Sequence, residues 1–230
     1  MAKSWCVMSS SGAVVCLTIG QSPRPDIMTE LMAMMPADCK VIEMGVLDGL
    51  SPEQLTAVSP AAGEPFYVTR LADGSEIMAA KAVLTELAEE KLVTLAGMGA
   101  RAAVLLCTGE FPALRAPIPL LMMGDIIKNC VRQAYRGVPI AVVVPNPGQM
   151  AHLSHRWSEA GIDHSIYSCS PYHETDESRT LCEQLAGEDA DFIVLDCIGF
   201  TEAMARHFHT LTRKTILLPR RMIAAELGKQ

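Results

Sequence analysis

The sequence predicts an α/β fold of two similar parallel-sheet halves, and three observations point to it. Apolar runs alternate with helix-like stretches from residue 13 to the end, the pattern of parallel strands joined by right-handed crossovers. The strongest runs, residues 13–20 and 139–144, are continuous rather than alternating, as in strands buried on both faces. The order of elements also repeats. Strand, strand, strand ending in a cysteine, strand occurs once before residue 122 and once after residue 138. The repeat is one of order, not of sequence identity.

Each element has a local reason. The first dozen residues are Ser-rich and read as frayed. After the first strand, Pro23 and Pro25 force an extended loop, and a helical stretch follows over residues 26–35, stopping at Pro36. A second strand covers residues 39–44. Ser51-Pro52-Glu53-Gln54 is a helix start, with Ser as cap and Pro in the first turn. Asp73-Gly74 between apolar runs at residues 66–71 and 76–80 signals a hairpin. A long helix over residues 81–96 leads to a strand at 102–106, a short extended stretch at 117–121, and a helix running to Tyr135. In the second half, strands are expected at 139–144, 164–168, 191–195 and 215–218. Helices are expected at 149–160 and 174–185, between the last two strands, and at the end. The last helix is expected to pack back on the first half. The halves are therefore drawn as residues 1–120 with 220–230, and residues 121–219.

Composition narrows the function. The chain has 230 residues, half of them hydrophobic and 20% charged, with a formal net charge of −7. Its 19 Lys and Arg residues form no block, which argues against nucleic acid as a partner. The N-terminus lacks a long apolar core behind a basic start, and no apolar run reaches the ~18 residues of a membrane helix. The 14 Met residues read as plastic core filling. The eight cysteines, at 6, 16, 39, 107, 130, 169, 182 and 197, include no C-x-x-C pair and no zinc-type spacing. Reduced thiols in a cytoplasm, most of them buried as small hydrophobes, are the expectation.

In open parallel sheets, ligands bind beyond the carboxyl ends of the strands. Four stretches fall there: Gly20-Gln21-Ser22-Pro23-Arg24, Cys107-Thr108-Gly109-Glu110, Pro145-Asn146-Pro147-Gly148, and Asp196-Cys197-Ile198-Gly199-Phe200-Thr201. Cys107 and Cys197 hold equivalent places, so halves that face each other would put both sulfurs in one cleft. A thiol ahead of a helix N-terminus gains thiolate character, and nearby backbone N–H groups can hold a carboxylate. A thiolate on one face of a carbon and a thiol on the other can remove and return a proton with inversion. The alternative is two buried structural cysteines.

Other residues have both a functional and a plain reading. Glu110 and Asp196 could relay protons or tune the thiols, although a carboxylate close by opposes thiolate. Arg24 could hold a carboxylate bidentately, or be a solvated loop arginine. Asn146, Gln149, Ser170 and Tyr172 could donate hydrogen bonds. For Asp48 a turn role is favoured over a ligand role, and for Arg220 and Arg221 the surface is favoured. The six histidines read as helical surface groups rather than metal ligands, and Gly97-Met98-Gly99 as a helix cap rather than a dinucleotide fingerprint. Neither a metal nor a nucleotide cofactor is expected.

The stretches Thr18-Ile19-Gly20-Gln21-Ser22-Pro23-Arg24, Leu106-Cys107-Thr108-Gly109-Glu110-Phe111-Pro112 and Leu195-Asp196-Cys197-Ile198-Gly199-Phe200 resemble the signatures of the AroM family. So do Leu47-Asp48-Gly49-Leu50, Val68-Thr69-Arg70-Leu71, Ser170-Pro171-Tyr172 and the tail from residue 217 to 227, so the likeness spans nearly the whole chain. The family in turn resembles the aspartate/glutamate/hydantoin racemase superfamily. That resemblance implies pseudo-twofold α/β halves with paired cysteines in a cleft between them. Those racemases usually follow the first cysteine with Asn-Thr or Asn-Ser and build the second site on Gly-Cys-Thr. Here the stretches read Cys107-Thr108-Gly109 and Asp196-Cys197-Ile198, so the substrate stays open. The expectation is a cofactor-independent racemase or isomerase acting on a small carboxylated metabolite. Cys107 and Cys197 are its acid and base. Gln21, Ser22, Arg24, Thr108, Gly109, Glu110, Asn146, Ser170, Tyr172, Asp196, Ile198 and Gly199 line the substrate. A single-cysteine decarboxylase or cis–trans isomerase of a small diacid, and a non-catalytic anion-binding or regulatory protein, are the alternatives. A homodimer is compatible with each.

Overall fold

The computed structural model describes residues 12–35, 37, 39–172 and 176–227. The fraying expected for the first dozen residues and the helix stop at Pro36 thus concern positions that lie almost wholly outside the described residues. The chain divides into two compact units. One takes the described residues among 1–28, 35–123 and 227–230, and the other takes 29–34 and 124–226.

The first unit is built on a parallel sheet of β1 (Val14–Thr18), β2 (Val41–Gly45), β5 (Ala102–Leu105) and β6 (Leu120–Met122), in the order β2-β1-β5-β6. Every residue of β1 and β5 is buried, as their unbroken apolar runs require. The hairpin appears where Asp73-Gly74 predicts it, pairing β3 (Phe66–Arg70) antiparallel to β4 (Glu76–Ala80). Helix α1 (Pro25–Met34) follows β1. Helix α2 (Pro52–Ala57) opens on a capping box, in which the Ser51 hydroxyl accepts from the Gln54 N–H and the Gln54 side chain accepts from the Ser51 N–H. Helix α3 (Lys81–Gly97) presents Leu84, Ala88, Leu92 and Leu95, a stripe at helical spacing, to a core containing Val15, Leu17, Ala103 and Leu105.

Among the described residues, the second unit repeats the plan without the hairpin. Its sheet is β7 (Ile140–Val144), β8 (His164–Ser168), β9 (Phe192–Leu195) and β10 (Thr215–Leu217), all parallel in the order β8-β7-β9-β10. Strand for strand this is the order of the first sheet, with β7 in the place of β1 and β9 in the place of β5. Helices α4 (Met123–Ala134), α5 (Met150–Glu159), α6 (Asp176–Ala186), α7 (Glu202–Thr212) and α8 (Pro219–Leu227) complete it. Sequence order places α8 with the first half. It belongs to the second unit as far as Glu226, because Arg220 at its start is bonded inside that unit. Among the described residues, no helix is long and apolar enough to cross a membrane.

Asp48 fixes the loop that leaves β1. Its carboxylate accepts the Ser22 N–H at 2.8 Å, the Ser22 hydroxyl at 2.5 Å and the Gly45 N–H at 2.7 Å. The turn role foreseen for Asp48 is the one the geometry gives it. Gln21 ties the same loop to the hairpin: its N–H donates to the Arg70 carbonyl at 3.0 Å and its Oε1 accepts from the Ala72 N–H at 3.1 Å. Asp48→Ala removes three hydrogen bonds to a charged acceptor, and we expect a loss of about 3 kcal/mol in urea denaturation, with Asp48→Asn intermediate. An unchanged midpoint for Asp48→Ala would show that the loop does not depend on this residue.

Candidate active site

Both cysteines that end a third strand sit in the same local structure. Cys107 lies two residues beyond β5, and the Gly109 N–H donates to its sulfur at 3.4 Å. Cys197 lies two residues beyond β9, and the Gly199 N–H donates to its sulfur, also at 3.4 Å. In each Cys-x-Gly turn the middle residue, Thr108 or Ile198, is buried, while the cysteine is half-buried. In each, a tyrosine ring lies against the glycine. A Cβ on Gly109 would stand 2.6 Å from Tyr67 Cε1, and one on Gly199 would stand 2.5 Å from the Tyr172 hydroxyl. No larger residue fits either place without moving the ring.

Tyr67 joins the Cys107 turn from the hairpin. It is buried, stacks on Phe111 with ring centroids 4.6 Å apart, and donates its hydroxyl to the Glu110 carbonyl. Burial first, and then the negative charge of Cys107 and Glu110, push its pKa well above the ordinary phenol value. It therefore serves as a neutral donor. Its position in a hairpin that the second half lacks hid it from a reading based on the repeat. A cavity of about 620 Å³ in this unit reaches Glu110 and Phe111 and is also lined by Glu64, Lys81, Thr85 and Glu86.

Asp196 was expected to face substrate or relay protons, and the structure corrects this. The residue is fully buried, and its Oδ2 accepts from Arg156 Nη2 and, at 3.3 Å, from Trp157 Nε1. A carboxylate at that depth needs a charged partner, and Arg156 supplies it. Helical spacing could have revealed the partner, since Leu153, Arg156 and Trp157 share the buried face of α5.

The remaining candidates are placed as follows. Arg24 is no solvated loop arginine. It is 6% exposed, and its Nε and Nη2 clasp Asp26 at 2.9 and 2.7 Å, an acid that an incoming carboxylate would have to displace. Burial opposes ionisation of Asp26, but the Arg24 hydrogen bond and charge outweigh it and hold its pKa below the usual value. The Ser170 hydroxyl accepts from the Tyr172 N–H at 3.2 Å, and Asn146, exposed, accepts from the Gly148 N–H at 2.8 Å. Arg220, expected at the surface, is fully buried, whereas Arg221 is exposed and paired with Glu202. The helix N-terminus expected behind each thiol follows only Cys197. There Thr201 caps α7 by accepting from the Met204 N–H at 3.2 Å. After Cys107 the prolines at 112, 117 and 119 keep the chain extended until β6, and α4 begins only at Met123. Among the described residues, no three His, Cys, Asp or Glu side chains gather as a metal site.

Two buried thiols, Cys16 and Cys182, differ in kind. Burial, with Glu43 and Cys39 nearby, pushes the Cys16 thiol up to about 12, and burial with Cys169 nearby pushes Cys182 up to about 11. At about pH 8, iodoacetamide should therefore modify Cys107 and Cys197 in the native protein and leave Cys16 and Cys182 untouched, as read by peptide mass spectrometry. Because the folded pKa of Cys16 is raised, its contribution to stability holds below the ordinary thiol value of 9.0 and is lost as pH climbs towards about 12. Labelling of Cys16 as fast as Cys107 would contradict this picture. A second prediction concerns the buried pair. Arg156→Met alone should cost about 3–5 kcal/mol by stranding Asp196, and adding Asp196→Leu should recover most of it. Additive losses in the double variant would mean that the two charges do not act as a pair.

Comparison with known proteins agrees with this architecture. An allantoin racemase from Klebsiella pneumoniae superposes with a TM-score of 0.62 at 13% identity, covering 95% of this chain and 87% of that one. A maleate isomerase from Pseudomonas putida S16 gives 0.60 at 13% identity, covering 94% and 92%. Unliganded arylmalonate decarboxylase gives 0.58 at 14% identity, with the same coverage of 94% and 92%. At such identities the likeness is one of fold. No curated protein sequence matches. The family model described as "AroM protein" matches residues 14–228, and the chain accordingly belongs to the AroM family.

Proposed function

We propose that the chain is a cofactor-independent isomerase of racemase or epimerase type that acts on a small carboxylated molecule, with Cys107 and Cys197 as acid and base. The observation that carries this reading is the pair of matching Cys-x-Gly turns. Each ends the equivalent strand of one of two sheets with the same strand order, and each has its sulfur bonded to the N–H two residues on. The neighbours in fold, named for racemisation, isomerisation and decarboxylation, support the general chemistry.

In this mechanism one cysteine, as thiolate, takes the proton from the carbon beside the substrate carboxylate. The electron pair left behind delocalises into that carboxylate, and the other cysteine, as thiol, delivers its proton to the opposite face. The protonation states of the two sulfurs are then exchanged. Backbone N–H groups of the turns, with the side chains of Gln21, Thr108, Ser170 and Tyr172, are the donors we assign to the carboxylate, and Ser22 would join them only by giving up the bond of its hydroxyl to Asp48. Glu110, Asn146, Gly109, Ile198 and Gly199 complete the assigned lining. Asp196 is left out of it, and Arg24 would enter only by exchanging Asp26 for substrate.

A single-cysteine reaction, decarboxylation or cis–trans isomerisation through Cys197, is the second reading. It is favoured by the unequal surroundings of the two thiols, since only Cys197 is followed by a capped helix. The experiment that separates the readings is proton exchange in deuterated water, with small carboxylates, amino acids and hydantoins, followed by NMR. For the two-base enzyme, Cys107→Ser and Cys197→Ser each abolish racemisation, and each leaves exchange of one enantiomer only, opposite in the two variants. A one-base enzyme loses activity with one substitution and not the other. A binding protein shows no exchange in any form. Equal exchange of both enantiomers in both variants would overturn the two-base reading, because neither sulfur would then serve one face.

A further inference from the structure

We infer that Arg220 is a positioning residue for Cys197, acting through the single peptide group that joins Ile198 to Gly199. Arg220 is fully buried at the start of α8. Its Nε donates to the Ile198 carbonyl at 2.9 Å and its Nη2 to the Gly199 carbonyl at 3.3 Å. The N–H of the same Ile198–Gly199 peptide donates to the Cys197 sulfur at 3.4 Å. In a trans peptide the C=O and N–H point in opposite directions. A donor fixed on the carbonyl side therefore aims the N–H at the sulfur on the other side. A cation on the carbonyl also polarises the amide, so the N–H carries more positive charge towards the sulfur.

The surrounding charges hold this arrangement in place. Arg220 Nη1 donates to Glu30 Oε2 at 2.8 Å, and the same oxygen accepts the Glu202 N–H at 3.0 Å. The third arm of the guanidinium is thus set by α1 while the other two grip the loop. Beside it, Arg221 neutralises Glu202 and Arg156 neutralises Asp196, and the tyrosine facing this turn is Tyr172. In the Cys107 turn the uncharged Tyr67 hydroxyl donates to the Glu110 carbonyl, which lies beyond the peptide whose N–H meets the sulfur. A lysine cannot reproduce the grip, because an ammonium is a point donor and lacks the planar fork that reaches two carbonyls and a carboxylate together.

The inference deepens the proposed function and rests on it for its catalytic meaning, but its test reads the thiol directly and needs no substrate. The rate of iodoacetamide alkylation of Cys197 is followed against pH in the whole protein by peptide mass spectrometry, with Cys107 as the reference in the same molecule. Arg220→Met should move the midpoint of the Cys197 profile upwards by about one pH unit, the scale on which nearby positive charge tunes thiols. Arg220→Lys should move it less in the same direction, and Glu30→Gln should move it slightly downwards by freeing the charge of Arg220. Cys107 should stay in place in all three. If Arg220→Met does not fold, the lysine and Glu30→Gln variants decide. A Cys197 profile that matches wild type in the folded variants, or equal movement of both cysteines, would overturn the role. Absence of any substrate proton exchange alongside an intact Arg220 effect would remove the proposed function and leave the positioning role standing.

Discussion

Four strands buried along their whole length, β1, β5, β7 and β9, set the terms for the rest of the structure. A strand with no exposed face must pair on both edges and be covered on both sides, which parallel neighbours and crossover helices achieve. Polar chemistry is then confined to the points where these strands end. Leu105 and Leu195 are the last residues of two of them, and two residues on from each stands a cysteine. Each cysteine turn thus inherits its position from its own core: the chain becomes polar where the sheet stops.

The same constraint makes the loops depend on buried arginines. A loop beginning inside a core carries carbonyls and carboxylates that water cannot reach, and these must find donors. Arg156 meets Asp196, and Arg220 meets the carbonyls of Ile198 and Gly199. Such pairs add little net stability over a well-packed apolar replacement, because desolvating the charges offsets their attraction. What they add here is a fixed loop geometry, since a fork with several partners tolerates only one arrangement of the chain around it.

Strand runs, the hairpin and the repeated order were legible because each follows from local pattern. Ser51-Pro52 forms the expected cap, Asp73-Gly74 lies in the turn of the hairpin, and the continuous apolar runs are the doubly buried strands. The two cysteines were legible because they end equivalent strands. The buried arginines were not, because an arginine near a helix start or on a helical face reads as solvated unless its buried partner is known. Arg220 gave no sign at all, as its partners lie 22, 21 and 190 residues away in sequence. Arg156 did give one in its spacing with Leu153 and Trp157. Tyr67 escaped because the hairpin that carries it has no counterpart in the second unit. A repeat guides the eye to what is shared and away from what only one copy has.

What only one copy has is also where the two thiols part company. Both turns end in a glycine under a tyrosine, so both sulfurs receive a backbone N–H in the same geometry. Beyond that the sequences diverge. Prolines at 112, 117 and 119 deny Cys107 a following helix, and the donor at the Glu110 carbonyl is a neutral phenol. Cys197 has a capped helix five residues on and a buried guanidinium behind its peptide. A helix start and a cation both favour negative charge nearby, so the two sulfurs are not electrostatically interchangeable. In the two-base reading we propose, the partners would exchange protonation states at each turnover, so unequal surroundings would matter to that exchange. The asymmetry is thus one of surroundings: a capped helix and a guanidinium stand behind Cys197, and an extended chain follows Cys107.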